Sequence, residues 1–383
     1  MGTGQALRAA AEPHVADDRI PGLVALAARG GDVHAVALGT LTAGADRPVQ
    51  RDSLFRIASV TKPITGAATL ALIAEGLLGL DEPAGRLLPE LASRRVLRRM
   101  DGPLDDTVPA RREITVRDLL TFTFGFGFAQ EMFVAEQPWP VMAAESELRL
   151  ATLGWPDAGR QPGPDEWIAG LGSLPLLAQP GDRWMYNTGA SVLGVLLARA
   201  AGMPYGEVLR TRLFEPLGMR DTAFWTTDTG RLSTAYRAGE GGTLEVWDEP
   251  GGLWAAPRAF DDGAAGLVST ADDLLAFGRM LLHGGRPVLP EDAAAAMLTD
   301  QLTEGQLQDG GLGPPMAKGD SWSFCQAVHA DGTAGWDGGF GTSFVVDPAR
   351  KLAVIILTQR AFDGPFLPAV HQDIRAVAFA ALG

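Results

Sequence analysis

Cysteine is almost missing from this chain: its 383 residues hold one, Cys325, so no internal disulfide is open to it and the residue reads as a small buried apolar side chain. Histidine is scarce as well. The five present, His14, His34, His283, His329 and His371, include no pair four apart and no H-E-x-x-H sequence. That argues against a histidine-based metal site, and neither a metal nor another cofactor is expected. There is no G-x-S-x-G elbow, no Walker loop and no complete dinucleotide fingerprint, since Gly125-Phe126-Gly127-Phe128-Ala129-Gln130 lacks the third glycine. Apolar runs stop short of the roughly 18 residues a membrane helix needs. Even Ala190 to Gly202 contains Arg199, so no spanning helix is expected. Repeats of solenoid period are absent.

Positive charge is in deficit. Against 46 acidic residues stand 32 Lys and Arg, a formal charge of −14, which disfavours nucleic acid and anionic membranes as partners. The one basic cluster, Arg94-Arg95 and Arg98-Arg99 with Arg111-Arg112 beyond, is expected to be a solvated helical face. Met1 to Ala6 shows neither a basic segment leading into an apolar core nor a myristoylation pattern, so a cytoplasmic location is expected. Nothing in the sequence bears on oligomeric state.

What is present suits a large folded unit: 46% of residues are apolar, and the 48 glycines and 26 prolines scatter between periodic segments. The pattern predicts a helical start to about Asp17, then strands Leu23 to Ala28 and Val33 to Leu38 joined through Gly30-Gly31-Asp32. A long middle region of turns and helices follows. Helix Ala271 to Leu282, strands Phe344 to Val346 and Leu352 to Leu357, and a helix from about Leu367 to Ala381 close the chain. Periodicity by itself supports an α+β class and no more.

The chemistry is concentrated in Phe55-Arg56-Ile57-Ala58-Ser59-Val60-Thr61-Lys62-Pro63-Ile64-Thr65. Ile64, Ala67, Ala68, Ala71, Leu72 and Ala74 run at helical spacing, weakened only by Gly66, and Pro63 marks the first turn, so a helix should begin close to Ser59. Residues three apart share a helix face, which lets an amine at Lys62 reach the Ser59 hydroxyl. To take a proton such an amine must be neutral, and bringing an alkyl ammonium from a reference value near 10.4 to near 7 takes about 4 to 5 kcal/mol. Burial and a positive helix end both act in that direction. The pair points to acyl transfer, although S-x-x-K also arises by chance in chains that catalyse nothing.

Two later segments add to it. Gly181-Asp182-Arg183-Trp184-Met185-Tyr186-Asn187-Thr188-Gly189 sets a tyrosine in a turn before the apolar stretch Val192 to Ala201; Tyr186 is either a proton relay or a packed aromatic. Gly335-Trp336-Asp337-Gly338-Gly339-Phe340-Gly341-Thr342-Ser343 is glycine-rich enough for backbone to approach a ligand closely. The aromatic run Phe122, Phe124, Phe126 and Phe128, with Met132, Phe133, Trp139 and Trp155, either lines an acyl pocket or packs the surrounding helices.

These three segments, in this order and at these intervals, resemble those of the serine β-lactamase and penicillin-binding-protein superfamily, above all class C β-lactamases and the esterases related to them. Further matches are Leu54 to Ser59, Ile114 to Thr121, Phe214 to Met219 and Gly266 to Asp273. The resemblance implies an antiparallel sheet flanked by helices plus a helical lobe. Residues 1–75 and 265–383 would form the α/β lobe and residues 76–264 the mainly helical lobe of one serine hydrolase domain. It implies that Ser59 is the nucleophile, Lys62 its activator and Tyr186 the proton shuttle, with the backbone N–H groups of Ser59 and Gly339 as oxyanion donors and Gly338 beside them in the substrate-binding segment.

Two departures stand out. The family's Tyr-x-Asn is Tyr186-Asn187-Thr188 here, so Asn187 from the adjacent position, or the Thr188 hydroxyl, is expected to take the substrate-amide contact. Where drug-hydrolysing members carry Lys-Thr-Gly, this chain has Trp336-Asp337-Gly338, an aromatic wall with an acid beside it, as in the esterase branch. The expected activity is hydrolysis of small or medium esters, with amides as further substrates. A transacylase, a β-lactamase or D-amino-acid peptidase, and a silent binding protein on the same scaffold are the alternatives.

Overall fold

The computed structural model describes residues 2–16, 19–133, 135–153, 159–307 and 317–383. Helix α1 (Thr3–Ala16) leads into strands β1 (Gly22–Arg29) and β2 (Asp32–Gly39). Asp17, the expected helix end, lies outside the described residues. Helix α2 (Thr61–Ala74) follows, and helix α3 (Thr188–Ala201) ends on the left-handed Gly202. Helix α4 (Ala271–Leu282) precedes strands β3 (Ser321–Trp322), β4 (Ala327–Val328), β5 (Ala334–Gly338), β6 (Thr342–Asp347) and β7 (Leu352–Thr358). Helix α5 (Ala369–Leu382) closes the chain.

The strands form one antiparallel sheet in the order β2-β1-β7-β6-β5-β4-β3, so the two ends of the chain build it together. Both of its faces are covered, which is why β1 and β7 are apolar at every position but Arg29 and Thr358 instead of alternating. Val24, Leu26, Phe344 and Ile355 look toward α2 and α4. Leu23, Ala25, Val354 and Ile356 look toward α1 and α5, where they meet Leu7, Ala11, Val370 and Ile374. This is a β-lactamase/transpeptidase-like α+β fold.

In chain order, the segment between the N-terminal and C-terminal strands of the sheet contains α3, shorter helices such as Pro164–Ser173, and strand pairs including Arg95–Leu97 with Thr107–Pro109. The basic cluster is a correction: Arg95 opens a strand, and Arg94 is buried, its guanidinium donating to the carbonyls of Leu171, Gly172 and Leu174. It neutralises the carbonyl end of the Pro164–Ser173 helix, a tertiary role that a local run of arginines does not reveal. Phe122, Phe124 and Phe126 are fully buried and pack the core; Trp155 and the Phe133 side chain fall outside the described residues. Among the described residues no single helix is long and apolar enough to cross a membrane.

Every residue of α2 from Thr61 to Leu72 is buried, so this helix has no polar face to present. Gly66, which looked like a weak point in the pattern, is the reason it fits. A β-carbon there would come within 2.7 Å of the Phe324 carbonyl oxygen and 3.1 Å of Cys325 Cβ. Cys325 itself is fully buried, and burial pushes its thiol well above the usual range, the nearby Lys62 charge countering in part.

Immediately before the S-x-x-K turn, Arg56 is 3% exposed and pairs with Asp248, 6% exposed. Its Nε donates to Asp248 Oδ2 at 2.8 Å, and its other nitrogens reach Ser233 O at 2.6 Å and Glu249 O at 2.9 Å. Burial lowers the guanidinium pKa while Asp248 opposes that shift. Asp248→Ala would leave a buried cation without its counter-charge, and a loss of about 3 to 5 kcal/mol is expected in urea unfolding. A loss below about 1 kcal/mol would show that the carbonyls alone support Arg56.

Candidate active site

Ser59 sits in a 3₁₀ turn, Ala58–Val60, wedged between the short strand Phe55–Arg56 and α2. The bend is sharp. Ala58 takes φ 45°, a left-handed conformation costing an alanine on the order of 1 to 3 kcal/mol, which the surrounding packing has to offset.

Lys62, one turn on, is fully buried, because α2 is covered on all sides and the amine cannot reach water. It donates instead to Ser59 Oγ at 2.8 Å and to the Ala264 carbonyl at 2.8 Å, and stands 4.7 Å from the centre of the Tyr186 ring. The Tyr186 hydroxyl donates to Ser59 Oγ at 3.0 Å and accepts from Trp336 Nε1 at 2.7 Å. Three segments separated by more than a hundred residues thus meet at one hydroxyl oxygen.

Each partner is held by backbone. Tyr186 exchanges both main-chain bonds with Phe128, at 2.8 and 3.0 Å, and its ring is surrounded by Phe122, Trp184, Trp322 and Trp336 at 5.4 to 6.3 Å between centres. The Ala264 carbonyl lies in a turn fixed by Asp262, whose Oδ1 accepts from Ala264 N at 2.9 Å and from Ser191 Oγ at 2.7 Å. Asp262 and Trp322 were invisible as site residues in the sequence, since neither belongs to a motif with local spacing, and Trp184 carried no signal within the Tyr186 segment that contains it. On the far side the ends of β5 and β6 press against the Ser59 turn: Thr342 Oγ1 of β6 donates to Ile57 O at 2.8 Å, and a β-carbon at Gly338 of β5 would collide with that carbonyl. Gly339 is the next residue along.

Three expectations change. The Asn187 side chain does not point free for a ligand: its Nδ2 donates to Thr152 O at 3.1 Å, and its backbone sits at φ 83°. Thr188 is fully buried, with no partner for its hydroxyl, so it cannot stand in. Asp337 lies on the opposite face of the sheet from Trp336, bonded to Arg375 of α5, so it is not an acid beside the pocket wall. Trp336 itself is 9% exposed and spends most of its surface on Tyr186 and Trp322.

Chemically, a hydroxyl between an amine and a phenol can lose its proton to the amine when that is neutral, or to the phenol oxygen when that is a phenolate. The Trp336 N–H aimed at the phenol oxygen favours negative charge developing there. Trp336→Phe keeps the ring and removes that donor, and a fall in kcat of about 10- to 100-fold with a nearly unchanged melting temperature is expected. Wild-type kcat in this variant would show the bond to be incidental.

Fold and cluster together define a serine-centred acyl-transfer class, and comparison with known proteins makes the assignment specific. The Beta-lactamase family model matches residues 7–379, and the chain belongs to that family. Protein Rv1367c of Mycobacterium tuberculosis (strain ATCC 25618 / H37Rv) is 37% identical over 335 residues, spanning 82% of this chain and 80% of its own. Esterase EstB of Burkholderia gladioli is 34% identical over 368 residues, 90% of this chain and 88% of its own. Among solved structures, EstCE1, described as a hydrolase with promiscuous acyltransferase activity, matches with a TM-score of 0.80 at 28% identity over 98% of both chains. The protein is an enzyme of the serine hydrolase class, related to β-lactamases and carboxylesterases.

Proposed function

We propose that this enzyme hydrolyses small to medium carboxylic esters through an acyl-enzyme on Ser59. The observation that carries the reading is Ser59 Oγ held at 2.8 Å from the Lys62 amine and 3.0 Å from the Tyr186 hydroxyl. Ser59 attacks the ester carbonyl as its proton passes to the neutral Lys62 amine or to a Tyr186 phenolate, and the oxyanion is received by the backbone N–H groups of Ser59 and Gly339. The leaving alkoxide takes a proton from Tyr186, which is the Ser59 proton itself if Tyr186 accepted it and is otherwise replaced from the Lys62 ammonium, and water releases the acid by the reverse sequence.

Esters are favoured over amides and β-lactams because the Asn187 amide is engaged with Thr152, and Trp336 stands where drug-hydrolysing relatives carry a cation. Transfer of the acyl group to an alcohol or amine is the second reading, supported by the activity in the description of EstCE1. A cytoplasmic site of action belongs to the same proposal, with the single buried Cys325 in its favour.

The test is p-nitrophenol release from the butyrate ester, with intact mass and peptide mapping during turnover. Turnover with a butyryl mass on the Ser59 peptide is the expected result. A persistent acyl mass released only by an added alcohol or amine would replace the hydrolase by the transferase. An acyl group on another residue, or neither signal across an ester series, would overturn the proposal.

A further inference from the structure

Side chains alternate across a strand, so Trp336 and Asp337 face opposite sides of the sheet. Trp336 is opposite Phe344 in register, and both pack on the side of α2 and the nucleophile. Asp337 is opposite Ser343, and both look toward α5. There Arg375 donates from Nη2 to Asp337 Oδ1 and, through Nη2 and Nε, to Ser343 Oγ at 2.6 and 3.2 Å. One helical turn earlier, His371, 1% exposed, places Nε2 3.1 Å from the Gly341 carbonyl.

These anchors bracket one turn. Asp337 is the penultimate residue of β5, Ser343 the second of β6, and Gly341 lies between them, two residues after Gly339. The turn has two glycines in three residues, and its one side chain, Phe340, is buried against Trp247 and Trp254. Its main-chain bonds are Phe362 N to Gly339 O at 2.8 Å, Thr358 N to Gly341 O at 2.9 Å and Gly341 N to Gly338 O at 2.9 Å, and Arg375 and His371 add side-chain contacts from α5. We infer that Arg375, assisted by His371, is a positioning residue that sets the tilt of this turn and so aims the Gly339 N–H at the reacting carbonyl, from the face of the sheet opposite the substrate. The inference rests on the proposed role of Gly339.

The chemistry of the two anchors fits the task. A guanidinium spans two acceptors in a fixed plane, so it holds the Asp337 and Ser343 shoulders at a set separation, which an ammonium cannot do. Gly341 O can only accept, so His371 carries its proton on Nε2. Burial pushes that imidazole down to about 4, keeping it neutral, and its Nδ1 has no partner.

An oxyanion donor misaimed by about 1 Å loses transition-state stabilisation while substrate binding is kept. Arg375→Ala is therefore expected to lower kcat for p-nitrophenyl butyrate by about 10- to 100-fold with KM within about 2-fold. It should weaken inhibition by a butylboronic acid, whose tetrahedral adduct on Ser59 occupies the oxyanion position, by a similar factor. Arg375→Lys should recover only part of both, and Ser343→Ala, which removes one anchor and leaves Asp337 paired, serves if Arg375→Ala does not fold. Wild-type kcat and boronate affinity in these variants, alongside a wild-type Ser59 acyl-enzyme, would overturn the inference alone. Equal losses in kcat and in ground-state binding would also overturn it, since they mark a general structural role. Without an acyl-enzyme on Ser59 in the wild type, the proposed function fails first and the inference with it.

Discussion

Ser59→Ala is expected to reduce ester turnover by at least about 10⁴-fold, to the residual rate that binding and oxyanion donors sustain without a nucleophile. No neighbouring group can substitute. Lys62 is fully buried and directed at Ser59 and Ala264, while the Tyr186 oxygen is already paired with Trp336 and Ser59. The variant loses one acceptor for the Lys62 amine, which retains Ala264 O and the Tyr186 ring, so the melting temperature should move by no more than a few degrees. Steady-state assay with thermal melting reads both. Turnover above about 1% of wild type in a folded Ser59→Ala protein would remove Ser59 from the chemistry.

Lys62→Met is expected to cost about 10² to 10⁴ in kcat, the range of a positioned proton acceptor, and yet to leave the protein as stable as wild type or more so. The two effects separate because of where the amine lies. A fully buried amine loses its hydration and regains only two acceptors, Ser59 Oγ and Ala264 O, whereas a methionine of similar length fills the same space with no polar head to desolvate. Function and stability then pull in opposite directions at one residue. If the variant lost stability in step with activity, Lys62 would be a structural strut between α2 and the Ala264 turn. Chemical denaturation beside kcat tells the two apart.

Much of the scaffold is legible locally. Helix α4 runs from Ala271 to Leu282 as its pattern predicts, because Thr270 caps it by accepting from Asp273 N and its apolar face repeats at helical spacing. The β1–β2 hairpin follows from two apolar runs around Gly30-Gly31, and the start of α2 from Pro63. Ser59 and Lys62 belong to this local group: three residues apart at a helix start, they meet wherever that helix forms.

The rest needed the tertiary structure. That Tyr186 would reach Ser59 was implied by resemblance, whereas its bond to Trp336 spans 150 positions and exists only because β5 and the turn before α3 converge on α2. The Ala264 carbonyl, the ring of tryptophans and the burial of Arg94 carry no short-range signal, being set by what packs against what. Asp337 and Asn187 show the limit most clearly. Each stands beside a residue of the Ser59 cluster in sequence, and each turns away from it, Asp337 because neighbouring strand residues face opposite sides of the sheet and Asn187 because Thr152 offers its amide a partner. The sequence by itself determined the pairing of Ser59 with the Lys62 amine and the elements that carry them, since those depend on geometry within one helical turn. Which adjacent side chains enter the site was decided by strand register and by packing between segments far apart in the chain, which no local pattern encodes.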